Sequence, residues 1–128
     1  MSSIVLDASA LLALLNDEPG TEKLTPQLLS VAACSTVNLA EVQSKLVARG
    51  LSPKTAWVVA LGPIRQAIPF TTEQAKTAGD LIAQTRELGL SLGDRACLAL
   101  ALVLKAPAYT TDRTWKKLTL DIRIHVLR

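Results

Sequence analysis

Four acidic residues, Asp7, Glu41, Asp94 and Asp112, stand out because each lies at a boundary between an apolar run and a helical or turn-forming segment. Carboxylates brought together raise one another's pKa unless a cation neutralises them. A set of hard oxygen donors without His or Cys suits Mg²⁺ or Mn²⁺ better than zinc. Such an ion can grip a phosphate, lower the pKa of a water and steady a leaving oxygen, the tasks of phosphodiester hydrolysis by in-line attack. Each acid also has a plainer reading, since Asp and Glu near a helix start offset the dipole and cap free N–H groups. Asp94 is the more telling, because helical spacing sets it on the side of Cys97, Leu98 and Ala101. Glu41 is the weaker, because Lys45 four residues on would make an ordinary surface ion pair.

The elements that must position these acids follow from the apolar pattern. Ser3–Asp7 reads as a buried strand ended by Asp7, and Ala8–Leu15 as a helix stopped by Asn16-Asp17-Glu18-Pro19-Gly20. Thr21–Leu29 is predicted as a helix, Val31–Thr36 as a strand, and Asn38–Ala48 as a helix with Glu41 in its first turn and Gly50 closing it. Ser52 caps a helix that opens at Pro53 and runs to about Gly62. Ala67–Phe70 is a strand, Thr71 or Thr72 to about Leu88 a helix weakened by Gly79, and Gly93–Lys105 an apolar helix. Ala108–Thr111 is a strand closed by Asp112, Arg113–Lys117 one helical turn, and Arg123–Val126 the last strand. Alternation of this kind predicts an α/β fold, a three-layer α/β/α domain with a mainly parallel central sheet of four to five strands. In such a sheet the loops leaving the strand carboxyl ends share one edge, and all four acids are expected there.

The 128 residues make one domain of ordinary size, 49% apolar and 20% charged, large enough for a core without disulfides. Cys34 and Cys97 are expected to be buried apolar groups rather than nucleophiles or a bridge. No signal peptide or membrane span is predicted, which makes a reduced cytoplasmic protein the expectation. The net charge of +3 comes from 14 Lys and Arg against 11 Asp and Glu. Assigning four of those acids to metal leaves seven against 14, a balance of +7 that suits a polyphosphate substrate.

Ile4-Val5-Leu6-Asp7-Ala8-Ser9, Asn38-Leu39-Ala40-Glu41-Val42, Leu92-Gly93-Asp94-Arg95 with Ala99, and Tyr109-Thr110-Thr111-Asp112-Arg113 together resemble the PIN-domain nucleases. Within them, the chain is similar to the VapC-type toxins of toxin–antitoxin pairs. The resemblance spans essentially the whole chain and rests on the order and spacing of these segments. It implies a Mg²⁺- or Mn²⁺-dependent endoribonuclease with Asp7, Glu41, Asp94 and Asp112 as its acidic quartet. It further implies supporting hydroxyls at Ser9 and at Thr110 or Thr111, a cognate antitoxin, and a homodimer.

Arg95, Arg113, Lys116 and Lys117 flank two of the acids and are candidates to hold RNA phosphates, with a solvated basic face as the plainer alternative. Trp115 is expected to pack rather than stack a base, and His125 to lie on a strand surface. Trp57, Val58 and Leu61 form an apolar stripe, read either as internal packing or as a groove for a partner's amphipathic segment. Two rivals share the fold. A magnesium-dependent phosphatase or phosphoacceptor domain would use a strand-end Asp but expects a second acid two residues on, where this chain has Ser9. A non-catalytic binding module would keep the fold without the reaction.

Overall fold

A computed structural model describes residues 2–128. Three central strands are apolar and wholly buried: β1 (Ile4–Leu6), β2 (Ala32–Ser35) and β4 (Ala108–Thr110). With β3 (Gln66–Ile68) and β5 (Ile124–Val126) they form a sheet in the order β3-β2-β1-β4-β5, every pairing parallel. Parallel neighbours require crossovers, and the helices supply them: α1 (Ala8–Leu15), α2 (Pro26–Leu29), α3 (Thr36–Ala48), α4 (Pro53–Leu61), α5 (Thr72–Asp80), α6 (Ile82–Thr85) and α7 (Leu92–Leu104). The expected α/β fold with a mainly parallel sheet is the one found.

Strand alternation divides the core between two faces. Val5 and Ala108 pack with Cys97, Leu98, Leu100 and Ala101 of α7 and with Trp115. Ile4, Leu6, Ala32 and Tyr109 turn the other way, toward Ala10 of α1, Leu24 and Leu127. A third cluster joins Leu11 and Leu12 of α1 to Leu39, Val42 and Leu46 of α3 and Ala56 and Ala60 of α4. The chain leaves β1 toward β2 and leaves β4 toward β5 on the opposite side. The carboxyl ends of β1 and β4 therefore flank the point where connections diverge, the place at which ligands bind in open α/β sheets.

Two predicted helices are broken. Thr21–Leu29 is a 3₁₀ turn at Thr21–Lys23, then α2 capped by Thr25, because Pro26 can start a helix but cannot sit inside one. The segment from Thr72 to Leu88 divides into α5, α6 and a 3₁₀ turn at Arg86–Leu88. There the buried Thr85 hydroxyl donates to Leu81 O at 2.8 Å, a bond back along the helix that bends it. The helix predicted from Asn38 begins two residues earlier, at Thr36, because Ser35 accepts from Val37 N and serves as its cap. Glu41 consequently lies in the second turn of α3 and not the first, so the helix start cannot explain it as a cap. Gly50 follows the end of α3 with φ 113°, the left-handed position its sequence context suggested.

Candidate active site

Asp7 follows β1 and is 3% exposed. Its Oδ1 accepts from Ala10 N at 2.7 Å and from the Ser9 hydroxyl at 2.8 Å, and its Oδ2 accepts from the Thr110 hydroxyl at 2.6 Å. Burial pushes its pKa up to about 6, against the lowering effect of these bonds, and the nearby charge of Asp94 adds to the rise. Asp7 is thus both the cap of α1 and a carboxylate kept in a low-dielectric position.

Thr110, at the end of β4, carries the network onward. Its Oγ1 lies 3.2 Å from Ser9 Oγ and accepts from Asp112 N at 3.0 Å, while Thr111 N donates to Ser9 Oγ at 2.9 Å. The hydroxyl expected at Thr110 or Thr111 is therefore that of Thr110; Thr111 contributes its backbone. Asp112 Oδ1 accepts from Thr114 N at 2.9 Å and from the Thr114 hydroxyl at 2.8 Å, capping the 3₁₀ turn Arg113–Lys117. On the neighbouring element, Asp94 closes a capping box at the start of α7: Ser91 N donates to its Oδ2 at 2.9 Å, and its own N–H bonds Ser91 Oγ.

Glu41 reaches the same edge from α3. Its carboxylate presses on Gly93, where a Cβ would lie 2.6 Å from Oε2 and 2.7 Å from Cδ. Among the described residues it makes no ion pair with Lys45; instead Asn38 Nδ2 donates to its Oε1 at 2.8 Å. The wholly buried thiol of Cys97 is raised by burial and then by the charges of Asp7, Cys34, Asp94 and Glu41. Cys34 is raised by burial and by Asp7 and Glu41. Neither thiol has the electropositive setting of a nucleophile.

Asp7 and Asp112 follow β1 and β4, Asp94 lies in the first turn of α7 and Glu41 lies against Gly93, each held by the local structure. Among the described residues no three His, Cys, Asp or Glu side chains close into a ready-made cation cage. The donor chemistry still fits Mg²⁺ or Mn²⁺, with oxygen ligands only, one of them a carboxylate whose charge the surrounding burial leaves uncompensated. A cavity of about 450 Å³ lies at the opposite ends of β4 and β5, between Lys105–Pro107 and Leu120–Arg123, and contributes nothing to this edge.

The flanking cations divide. Lys116 and Lys117 are exposed. Arg113 is exposed, with its Nε donating to Arg128 O at 3.1 Å. Arg95 is half-buried and gives Nη1 to Ala78 O of α5 at 2.9 Å, so its guanidinium ties α7 to α5. Trp115 is fully buried, as packing requires, and exposed His125 stacks on Tyr109 with ring centroids 4.6 Å apart. Trp57 and Leu61 are half-buried against the α3–α4 core, whereas Val58 is 63% exposed. Sequence reasoning missed Asn38, Gly93 and Thr114. The residues Asn38 and Thr114 sit three and two positions from an acid, where a local hydrogen bond is an available signal; nothing local marks the contact of Gly93 with Glu41.

A parallel sheet with its connections diverging between β1 and β4 defines an open α/β class whose ligands bind at the strand carboxyl ends. The PIN domain family model matches residues 4–120, and the chain belongs to that family. No curated protein sequence matches it. Among solved structures, the DNA-bound VapBC of Salmonella typhimurium is similar at TM-score 0.78 and 18% identity, over 100% of both chains. VapC20 of Mycobacterium tuberculosis, a sarcin–ricin-loop-cleaving toxin, gives TM-score 0.72 and 21% identity over 94% of this chain and 99% of its own. VapBC2 of Rickettsia felis, bound to a promoter DNA fragment, gives 0.71 and 19% over 94% and 96%.

Proposed function

We propose that this protein is a metal-dependent endoribonuclease, the toxin of a type II toxin–antitoxin pair, acting through Asp7, Glu41, Asp94 and Asp112. The observation that supports the reading is the hydrogen-bonded network at the carboxyl ends of β1 and β4, where buried Asp7 accepts from the Thr110 hydroxyl and Thr110 Oγ1 accepts from Asp112 N. Bound Mg²⁺ or Mn²⁺ supplies charge neutralisation at the scissile phosphate and a water of lowered pKa. Within the chain, Ser9 and Thr110 orient Asp7, Thr114 orients Asp112, and Ser91 orients Asp94. The exposed Arg113, Lys116 and Lys117 lie beside Asp112, where they would hold backbone phosphates next to the cut. Arg95, tied to Ala78, serves the site through the placement of α7.

The assay is cleavage of end-labelled single-stranded RNA and matched DNA with Mg²⁺ or Mn²⁺, with a chelator and Asp94→Asn as controls. Cutting of RNA that leaves 5′-phosphate and 3′-hydroxyl ends and is lost in both controls is expected. Cutting that survives Asp94→Asn would overturn the mechanism.

The VapBC likenesses support an antitoxin partner, and a homodimer, which the family resemblance implies, is part of the same proposal. The exposure of Val58, beside Trp57 and Leu61, supports reading the α4 surface as the site for an amphipathic segment of the antitoxin. Val58→Asp is expected to weaken inhibition by the antitoxin by at least about tenfold, the scale of an anchoring interface residue. Because the side chain is exposed, folding stability is expected to stay within about 0.5 kcal/mol of wild type. Unchanged retention in a pull-down would remove Val58 from the interface. No described helix is long and apolar enough to cross a membrane.

A further inference from the structure

Glu41 differs from the other three acids in that no backbone N–H or hydroxyl holds it. Its restraint is Asn38, one turn earlier on α3 and 1% exposed. Asn38 Nδ2 donates to Glu41 Oε1 at 2.8 Å and to Gly93 O at 3.0 Å. Both partners are acceptors, so the amide must present its nitrogen to them, and the orientation of the side chain is fixed chemically. The two bonds fasten α3 to the first turn of α7 at the place where Glu41 presses on Gly93. Asn38 Oδ1 is buried and has no hydrogen-bond partner among the described residues. A buried acceptor without a partner opposes folding, a cost that the two bonds donated by Nδ2 offset.

We infer that Asn38 is a positioning residue: it holds the Glu41 carboxylate over Gly93, beside Asp94, and away from Lys45 four residues along the helix surface. The geometry of the restraint stands alone, while its consequence for catalysis rests on the nuclease reading of the site. Without the amide, Glu41 keeps its place in the helix but its carboxylate is free to leave the crevice for solvent or Lys45. Partners that orient metal-binding side chains typically contribute about 10–100-fold to metal affinity or activity.

The test is Asn38→Leu, which shares the branching of Asn at Cγ though it is larger, and which removes both donors and the unpartnered acceptor. Loss of the two bonds and the larger side chain are expected to lower the melting temperature, so the role of Asn38 is read from Glu41 and from the metal and not from stability. A crystal structure of the variant is expected to show the Glu41 carboxylate withdrawn from Gly93. Titration with Mn²⁺ alone should give an affinity about tenfold weaker, and RNA cleavage a lower kcat at unchanged KM. Asn38→Asp, which keeps the shape and sets a second carboxylate against Glu41, should show the same displacement if the leucine variant fails to fold. A Glu41 carboxylate still seated on Gly93 in the folded variant, or unchanged Mn²⁺ affinity and kcat, overturns the inference. Wild-type protein that neither binds Mn²⁺ nor cuts RNA overturns the nuclease reading instead, and the position of Glu41 in the variant structure still decides the role of Asn38.

Discussion

Asp7→Asn is expected to abolish RNA cleavage and, at neutral pH, to raise the melting temperature of the metal-free protein. The two effects share one cause. Burial holds the Asp7 pKa at about 6 against an ordinary 3.8, so the folded state binds a proton more tightly than the unfolded state. The Asp7 contribution to stability is therefore fully present below pH 3.8, is lost as pH rises toward 6, and stays absent above that, where the buried carboxylate is charged. The difference corresponds to about 3 kcal/mol, on the order of 10 °C in melting temperature for a chain of this size. Asn carries no charge, and the surrounding hydroxyls accommodate it. Its amide can donate to Thr110, Thr110 to Ser9, and Ser9 to the amide oxygen, with the backbone bonds from Thr111 and Asp112 unchanged.

Calorimetric melts at pH 4 and pH 8 test this directly, since the gap between Asp7→Asn and wild type should widen with pH. Mg²⁺ added at pH 8 should stabilise the wild type and leave the variant unmoved. The loss of cleavage should reach at least about 100-fold, the scale of removing one electrostatic contact to a transition state. A variant less stable than wild type at pH 8 would mean that Asp7 serves mainly as the cap of α1.

Gly93→Ala is expected to lower RNA cleavage by about 10–100-fold while leaving the fold intact. The new Cβ would fall 2.6 Å from Glu41 Oε2 and 2.7 Å from its Cδ, closer than carbon approaches either atom. The atoms in the way belong to the free end of a long side chain, so Glu41 moves and the backbone does not. A displacement of about 1 Å at a reacting centre can cost about 100-fold. In a helix Ala is favoured over Gly by up to about 1 kcal/mol, so the melting temperature should hold or rise. Activity and stability are thus expected to separate. A marked drop in melting temperature with cleavage preserved would show that the start of α7 yields rather than Glu41.

Much of this architecture was legible before any coordinates. The run Ile4-Val5-Leu6 ending at Asp7, the Ser52-Pro53 start of α4 and the apolar α7 all depend on local periodicity and capping, which neighbouring residues carry among themselves. The breaks at Thr25-Pro26 and at Thr85 were legible only in part. A proline rule foretells the first, whereas the hydroxyl of Thr85 turns back along the helix because the fold buries it.

The sequence by itself determined the strand and helix order, the parallel sheet and the placement of Asp7, Asp94 and Asp112 at element ends, because each follows from the chemistry of a few adjacent residues. Only the tertiary structure decided that Glu41 sits in a second turn under the control of Asn38, that Gly93 must lack a side chain, and that Arg95 spends its guanidinium on Ala78. The reason is distance along the chain. Asn38 and Gly93 are 55 residues apart, as Thr110 and Asp7 are 103 apart, and such contacts exist only once α3, α7, β1 and β4 have packed.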